Sequence, residues 1–484
     1  MLPTTVRALL VGSSETTTTL INDIQTEPHP ITIIGIVVEA HTPPQRLNNI
    51  PILGAIAETP QLIKQHAINL IIIAIQEIKR TTLEFLIDNI PPGTVTWKIT
   101  PDNTLNPSVA ISYKKLRNLQ AEDLIGRRNM AIATSALKQS FKDKTILITG
   151  AGGSIGSELV KIILSYPVKV ILAIARSERS LYTLQKNLEL EYEQALLKEK
   201  LLLCIADIND ISRMQEIARA HTIDIILHAA AHKHVPLMET HEKEAIKNNV
   251  FATHKLLKIA HEHHIKNFIF ISTDKAVAPQ SIMGASKKLA EYLILKYTDY
   301  YNFTPTIVRL GNVIGSQGSV VPLFNKQIRL SLPVTVTNPK TKRYFMTLTE
   351  AALLITTIST FALAPPTTPA DHTRRKIYIL KMGEPIVIDT LVRRMIRLHG
   401  LLPDRDVKIA YTGIRPGEKL EEVLYDENST VIPTSNPYIL QIKEDHITDI
   451  DTVWETILTL EENIANYTPA AIRSVLKKLK ILNQ

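Results

Sequence analysis

Asp274 and Lys275 stand side by side, directly after the apolar run Phe268-Ile269-Phe270-Ile271 and the hydroxyl pair Ser272-Thr273. A carboxylate beside an amine makes an acid-base pair, and such groups belong at the carboxyl end of a strand, where open α/β sheets gather their ligands. Met283-Gly284-Ala285-Ser286-Lys287 follows a few residues later. Residues four apart share one helix face, so a tyrosine at the first position would have its phenol pKa lowered by the lysine. Here that position is Met283, which has no proton to exchange. A literal Tyr-x-x-x-Lys occurs at Tyr292 and Lys296. It lies about 13 Å further along a helix and is set aside.

Thr149-Gly150-Ala151-Gly152-Gly153-Ser154-Ile155-Gly156 follows the apolar run Thr145 to Thr149 and opens a helical segment, Ser157 to Leu164. Strand, glycine turn and helix start in that order make a dinucleotide fingerprint. Gly150, Gly153 and Gly156 allow the tight turn and the close approach of a pyrophosphate, which Ser154 and Ile155 meet with helix-start amides. The next strand ends at Ala175-Arg176-Ser177-Glu178. No acid stands where a ribose 2′-hydroxyl would be held, and Arg176 supplies a positive charge. This favours a 2′-phosphate and therefore NADP, while Glu178 keeps NAD open. Asp207-Ile208, after the run Leu201 to Ile205, is placed near the adenine. Ala229-Ala230-Ala231, preceding His232-Lys233-His234, ends a further strand with small residues that let backbone approach the cofactor. Lys233 and, in Asn248-Asn249 on the next helix, Asn249 are further expected cofactor contacts.

These groups need a parallel sheet to hold them. Two strand-turn-helix openings, at Gly12 and at Gly150, are each followed by further apolar strands: Ile31 to Val38 and Leu70 to Ile75, then Val170 to Ala175 and Ile223 to Leu227. The reading is α/β, with tandem Rossmann-like domains. The first spans 1–128. There Gly12, Glu15 and Thr18 take the places of Gly150, Gly153 and Gly156, so dinucleotide binding is expected to be lost. The second spans 129–484, with the boundary inside Ala121 to Ser140. From about Val334 the pattern loosens into a C-terminal lobe, mainly 334–484, with a loop at Pro365-Pro366-Thr367-Thr368-Pro369 and terminal helices over Val453 to Lys480.

The chain has 484 residues, 45% hydrophobic and 21% charged, which excludes a disordered or collagen-like protein. A single cysteine, Cys204, excludes an internal disulfide. The net charge of +8 suits an anionic ligand but comes with 5% aromatic residues and no nucleic-acid motif, so no nucleic-acid partner is expected. The apolar runs fall short of the ~20 residues of a spanning helix, so no transmembrane segment is expected. Met1-Leu2-Pro3-Thr4-Thr5 lacks the pattern of a secretory leader, which makes the cytoplasm the expected compartment. His261-Glu262-His263-His264 lacks the spacing of a zinc motif and reads as a solvated helix end, so no metal is expected.

The series from Gly150 through Ala229-Ala230-Ala231-His232-Lys233-His234-Val235-Pro236, Ser272-Thr273-Asp274-Lys275-Ala276-Val277, Met283-Gly284-Ala285-Ser286-Lys287 and Arg309-Leu310-Gly311-Asn312-Val313 to Arg415-Pro416-Gly417-Glu418-Lys419 resembles the UDP-N-acetylglucosamine 4,6-dehydratases of capsule and glycan biosynthesis. Those are extended short-chain dehydrogenases. The resemblance covers about residues 140 to 430, and the first domain is similar to the one that precedes catalysis in the long members. Those members usually begin with membrane helices, and none is expected in this sequence.

The resemblance implies C4 oxidation by a tightly bound NADP or NAD that is regenerated each turnover, then loss of water across C5 and C6, then hydride return to C6. It assigns the C5 proton to Lys275, and C4 deprotonation and C6 protonation to Asp274. Thr273 is placed at the C4 oxygen and Lys287 at the nicotinamide ribose. Lys233, Asn312, Arg343, Arg415 and Glu418 are placed around the UDP-sugar. A homodimer or higher homo-oligomer is implied by the helix pairing common in this fold. A nucleotide-sugar C4-epimerase shares fold and cofactor but needs no C5 base. A C5-inverting dehydratase is a further alternative, although Met283 and the extra domain resemble the retaining group.

Overall fold

The computed structural model describes all residues except 1–5, 27–29, 40–45, 76–77, 102–110, 126–133, 301–304, 364–375, 445–448 and 483–484. The expected loop Pro365–Pro369 lies outside the described residues. The chain forms two compact units, both discontinuous in sequence.

The first unit comprises 1–129, 320–340 and 386–412. Strands β1 (Val6–Val11), β2 (Ile31–Val38), β3 (Arg46–Leu47), β4 (Ile50–Ala55), β5 (Leu70–Ile73), β6 (Thr96–Ile99) and β7 (Arg117–Asn118) form one sheet in the order β3-β4-β2-β1-β5-β6-β7. Its central strands are parallel. The helix Glu15–Thr26 begins one residue sooner after β1 than its counterpart in the second unit does after its first strand, which places Thr17 rather than Thr18 opposite Gly156. Thr17 is fully buried and its hydroxyl donates to the Ala74 carbonyl at 2.9 Å. Gly12 packs so closely on Ile75 that a Cβ would come within 2.4 Å of it. The Ser14 hydroxyl also donates to the Ala74 carbonyl, at 3.1 Å.

The sequence expectation cuts the chain once, near 128, and assigns everything beyond 334 to the second domain. The compact units differ from that division. Strand Val334–Val336 pairs with Ile409–Tyr411, and the helix Ile388–Leu398 packs on the helix Arg80–Asn89 within the first unit. Arg394 forms a fork onto Asp88, at 3.1 and 2.8 Å, and also pairs with Glu84. Arg397 donates to the carbonyls of Ile87, Asp88 and Ile90, which end the partner helix.

The second unit comprises 130–319, 341–385 and 413–484. Strands β8 (Thr145–Thr149), β9 (Val170–Ala175), β10 (Leu201–Ile205), β11 (Ile225–His228), β12 (Asn267–Thr273) and β13 (Thr306–Leu310) run parallel in the order β10-β9-β8-β11-β12-β13. That is the doubly wound dinucleotide order, whose crevice opens at the carboxyl ends of β8 and β11, where the strand order reverses. Strands Lys376–Leu380, Ile439–Lys443 and Thr430–Pro433 extend the sheet past β13, so part of the expected C-terminal lobe is sheet edge. Alternation sorts the core. Leu147, Leu172 and Ile226 face the helices Ile282–Tyr300 and Ile450–Asn463, and Ile146, Ile148, Ile171 and Ile225 face Ser154–Leu164 and Leu348–Leu363. Among the described residues no helix is long and apolar enough to cross a membrane.

Candidate active site

The glycine turn after β8 closes against the end of β11. Gly150 has φ +68°, and a Cβ there would lie 2.7 Å from the Ala230 amide nitrogen. A Cβ on Gly156 would lie 2.2 Å from the Gly150 carbonyl oxygen, so only glycine lets the helix Ser154–Leu164 start this near the strand. Gly153 caps that helix, the Ser154 hydroxyl accepts from the Gln317 amide, and Ile155 packs partly buried on the core. Ala229, Ala230 and Ala231 leave the facing wall free of bulk. These residues fit a dinucleotide: a helix start, close backbone and a facing wall of alanines. Along the crevice Arg176 is exposed and Ser177 caps the next helix. Ile208 is buried, and the Asp207 carboxylate accepts from the Asn209 backbone and side-chain amides. His232 is held below its usual pKa by burial and by the Arg176 charge.

Asn249 sits in a π-helical turn, Lys247–Phe251. Its amide binds both backbone groups of His232, at 2.8 and 3.0 Å, and the Ser286 hydroxyl at 2.9 Å. Expected as a cofactor contact, its side chain ties the β11 loop to the helix that carries Met283 and Lys287. The Lys233 ammonium reaches the Ser316 hydroxyl at 3.4 Å, and burial lowers its pKa.

At the end of β12, Asp274 is 1% exposed. Its Oδ1 accepts from the Thr273 hydroxyl and the Lys275 ammonium, each at 2.9 Å, while its Oδ2 is buried without a donor. The Lys275 ammonium also donates to Asn312 Oδ1 at 3.2 Å and lies 3.5 Å from Glu422 Oε1. Burial pulls the Lys275 pKa down, but Asp274 and Glu422 outweigh it and hold the amine above the usual lysine value. Glu422 is 3% exposed and escaped the sequence reading. The available signal was its place three residues after Lys419 in Arg415-Pro416-Gly417-Glu418-Lys419-Leu420-Glu421-Glu422.

Gly284 lets the helix Ile282–Tyr300 abut this turn, since a Cβ there would meet the Lys275 carbonyl oxygen at 2.3 Å. Met283 is buried in the core. The Lys287 ammonium donates to the Ile271 carbonyl at 2.7 Å and rests 3.7 Å from the Phe270 ring centroid. Tyr292 is core, and Lys296 pairs with Asp451, away from these groups. Burial pushes the Lys287 pKa down from 10.5 to about 7, with the Glu291 charge opposing. Between those pH values the unfolded chain carries a proton that the folded chain lacks, so this residue makes stability rise with pH across the window. Lys287→Met is expected to flatten that rise, measured by urea denaturation at several pH values within it.

On the far side, Arg343 donates to the Lys342 and Leu420 carbonyls, at 2.7 and 3.0 Å, and to Glu418 at 3.2 Å. It braces the loop that carries Arg415 and Glu418. The Arg415 guanidinium is exposed and has no partner among the described residues. Gly417, at φ +75°, seats this loop on Ser281, 2.8 Å from where its Cβ would be.

The family model described as polysaccharide biosynthesis protein matches residues 146–444, a span that holds the whole of this constellation. The chain belongs to the polysaccharide biosynthesis protein family. Within it, the probable polysaccharide biosynthesis protein EpsC of Bacillus subtilis is 34% identical over 471 residues, covering 97% of this chain and 75% of that one. The capsular polysaccharide biosynthesis protein CapD of Staphylococcus aureus is 35% identical over 414 residues, 84% of this chain and 66% of that one. A UDP-glucose 4-epimerase of Rickettsia canadensis is 31% identical over 291 residues, 59% of this chain and 78% of that one. Among solved structures, Pen from Bacillus thuringiensis has a TM-score of 0.54 at 30% identity, over 63% of this chain and 89% of that one. The dTDP-glucose 4,6-dehydratase DesIV of Streptomyces venezuelae, solved with NAD and TYD bound, has a TM-score of 0.50 at 19% identity over 67% of this chain and 99% of that one, a likeness of fold.

Proposed function

We propose that the chain converts UDP-N-acetylglucosamine to a UDP-4-keto-6-deoxy-N-acetylhexosamine. The observation that carries the reading is the buried Asp274–Lys275 pair at the end of β12, whose Asp274 Oδ2 is left without a donor. An oxygen buried in that state is one that a substrate hydroxyl can satisfy. Asp274 accepts the C4 hydroxyl proton, taking the part that Met283 cannot. Once C4 is a ketone, the C5 proton is acidic and Lys275 removes it. Asp274 then protonates the departing C6 hydroxyl. A nicotinamide dinucleotide in the β8–β11 crevice supplies the oxidation at C4 and the reduction at C6, so none is consumed. Arg176 supports NADP over NAD, and Met283 together with the extra first domain supports C5 retention.

Thr273 is placed at the C4 oxygen, Lys287 at the ribose, and Asn312, Lys233, Glu418 and the unpaired Arg415 around the sugar diphosphate, which a guanidinium fork suits. A cytoplasmic homo-oligomer whose first unit binds no dinucleotide completes the proposal. The epimerase relative shares the fold and the C4 chemistry, but an amine poised for C5 would be idle in such an enzyme.

Incubation with UDP-N-acetylglucosamine in D2O, with NADP+ or NAD+ and NMR detection, tests the reading. A 4-keto-6-deoxy sugar with deuterium at C5 is the expected product. UDP-N-acetylgalactosamine would make the chain an epimerase instead.

A further inference from the structure

Lys275 touches two buried carboxylates, and the proposed chemistry uses only one of them. Glu422 lies 3.5 Å from the ammonium through Oε1, and its Oε2 is buried with no hydrogen-bond donor, the Lys419 ammonium being 3.7 Å away. Lys419 is itself anchored to the Val277 carbonyl at 2.8 Å. The charged groups around Lys275 are thus Asp274 from its own turn, Arg343 from the short strand Lys342–Arg343, and Glu422 and Lys419 from the segment after Arg415.

A difficulty arises inside the proposed reaction. Lys275 can take the C5 proton only as a neutral amine, yet the site holds it as an ammonium. Asp274 cannot relieve it at that moment, because Asp274 has just received the C4 hydroxyl proton. Solvent is a poor acceptor too, since Lys275, Asp274 and Glu422 are all mostly enclosed.

We infer that Glu422 is the internal proton partner of Lys275, holding the ammonium's proton while the amine works on C5; the inference rests on the dehydratase reading above. The balance closes within the site. One N–H bond of the ammonium breaks and the proton passes to Glu422 Oε1, leaving a neutral amine and a neutral acid. In a water-poor site that neutral pair is not penalised as separated charges would be. The amine lone pair takes the C5 proton, and the C5–H electrons move into the C4 ketone to give the enolate. The enolate collapses and expels the C6 hydroxyl, which leaves as water with the proton from Asp274. Lys275 later returns a proton to C5 and recovers its own from Glu422, so both groups end as they began. Glu422 acts through Lys275 and touches no reacting carbon.

Glu422→Gln keeps the shape but cannot hold the proton, and Glu422→Asp keeps a carboxylate. Quenched reactions analysed by mass spectrometry separate the C4 ketone from the dehydrated product. In the unaltered protein, elimination is expected to be flat across neutral pH because Glu422, not solvent, takes the ammonium's proton during that step. In Glu422→Gln it is expected to fall about 100-fold at neutral pH and to rise about tenfold per pH unit, as solvent takes over from Glu422, with C4 oxidation retained. Glu422→Asp is expected to restore part of the loss and the flat profile. Loss of both steps together with an unchanged pH profile, or no loss, would overturn the inference.

A second measurement needs no sugar. Lysine-labelled NMR of the cofactor-loaded protein, with Lys275 assigned by difference against Lys275→Arg, is expected to show the Lys275 midpoint falling in Glu422→Gln. An unmoved midpoint overturns the inference whatever the substrate is, whereas absence of a 4-keto-6-deoxy product from the unaltered protein would sink the dehydratase reading alone.

Discussion

Lys275→Met and Asp274→Asn are each expected to lower product formation by about 10²- to 10⁴-fold, the range of a lost general acid or base, but to stop the reaction at different places. Lys275→Met removes the amine that binds Asp274 Oδ1 and leaves Asp274 able to take the C4 proton. Its C4 ketone is therefore expected to form and accumulate. Asp274→Asn removes the proton acceptor itself, so the ketone is not expected to form. The Thr273 hydroxyl, 2.9 Å from Asp274 Oδ1, cannot replace it, having no base of its own to pass a proton to. Rapid quenching and mass spectrometry of the sugar check both outcomes, with thermal melting to show that each variant is folded. If the two variants stopped at the same step, the division of labour between Asp274 and Lys275 would be wrong.

What the sequence could say about this site follows from how far apart its parts lie along the chain. The glycine turn was legible because strand, turn and helix start are contiguous, and the structure adds the reason for each glycine in the Ala230 and Gly150 contacts. Asp274 and Lys275 were legible as neighbours at a strand end. Glu422 was not, because nothing local marks it; the loop that carries it reaches Lys275 only when Gly417 turns onto Ser281 and Lys419 finds the Val277 carbonyl. Asn249 and Arg343 show the converse. Each is a polar residue in a site motif, and each spends its hydrogen bonds on holding protein loops in place. The division into units was hidden for a similar reason. Whether Val334–Val336 belongs with the first or second unit depends on its pairing with Ile409–Tyr411, and no periodicity encodes a partner.

Arg309→Met is expected to cost about 3–5 kcal/mol, roughly 10 °C of melting temperature, although Arg309 touches nothing in the crevice. Its side chain is 1% exposed on β13 and forks onto Glu291 at 2.9 and 2.7 Å, with Glu444 at 2.5 Å. Lys288 completes a neutral quartet by binding Glu444 at 2.8 Å, and the Ser272 hydroxyl donates to Glu291 at 2.7 Å. Burial alone would raise the Glu444 pKa, but Arg309 and then Lys288 hold it down at about 2, below its ordinary 4.5. Above pH 4.5 that difference favours the folded chain, and the benefit is lost as pH falls toward 2. With Arg309 gone, Glu291 and Glu444 share one remaining lysine in the interior, and the protonated form of a carboxyl becomes the favoured one. The variant is therefore expected to gain stability as pH falls toward 4.5, where this group leaves the unaltered protein level, and to lack the loss that the unaltered protein shows between 4.5 and 2; urea denaturation as a function of pH reads both differences. Equal pH slopes in the two proteins would mean that the carboxylates are relieved by water instead. The quartet joins β13, the helix Ile282–Tyr300 and the end of β12, so it fixes Ser272, and with it Thr273 and Asp274, relative to Met283 and Lys287. Buried charge in this fold sits beneath the acid-base pair and holds the two halves of the crevice floor in register.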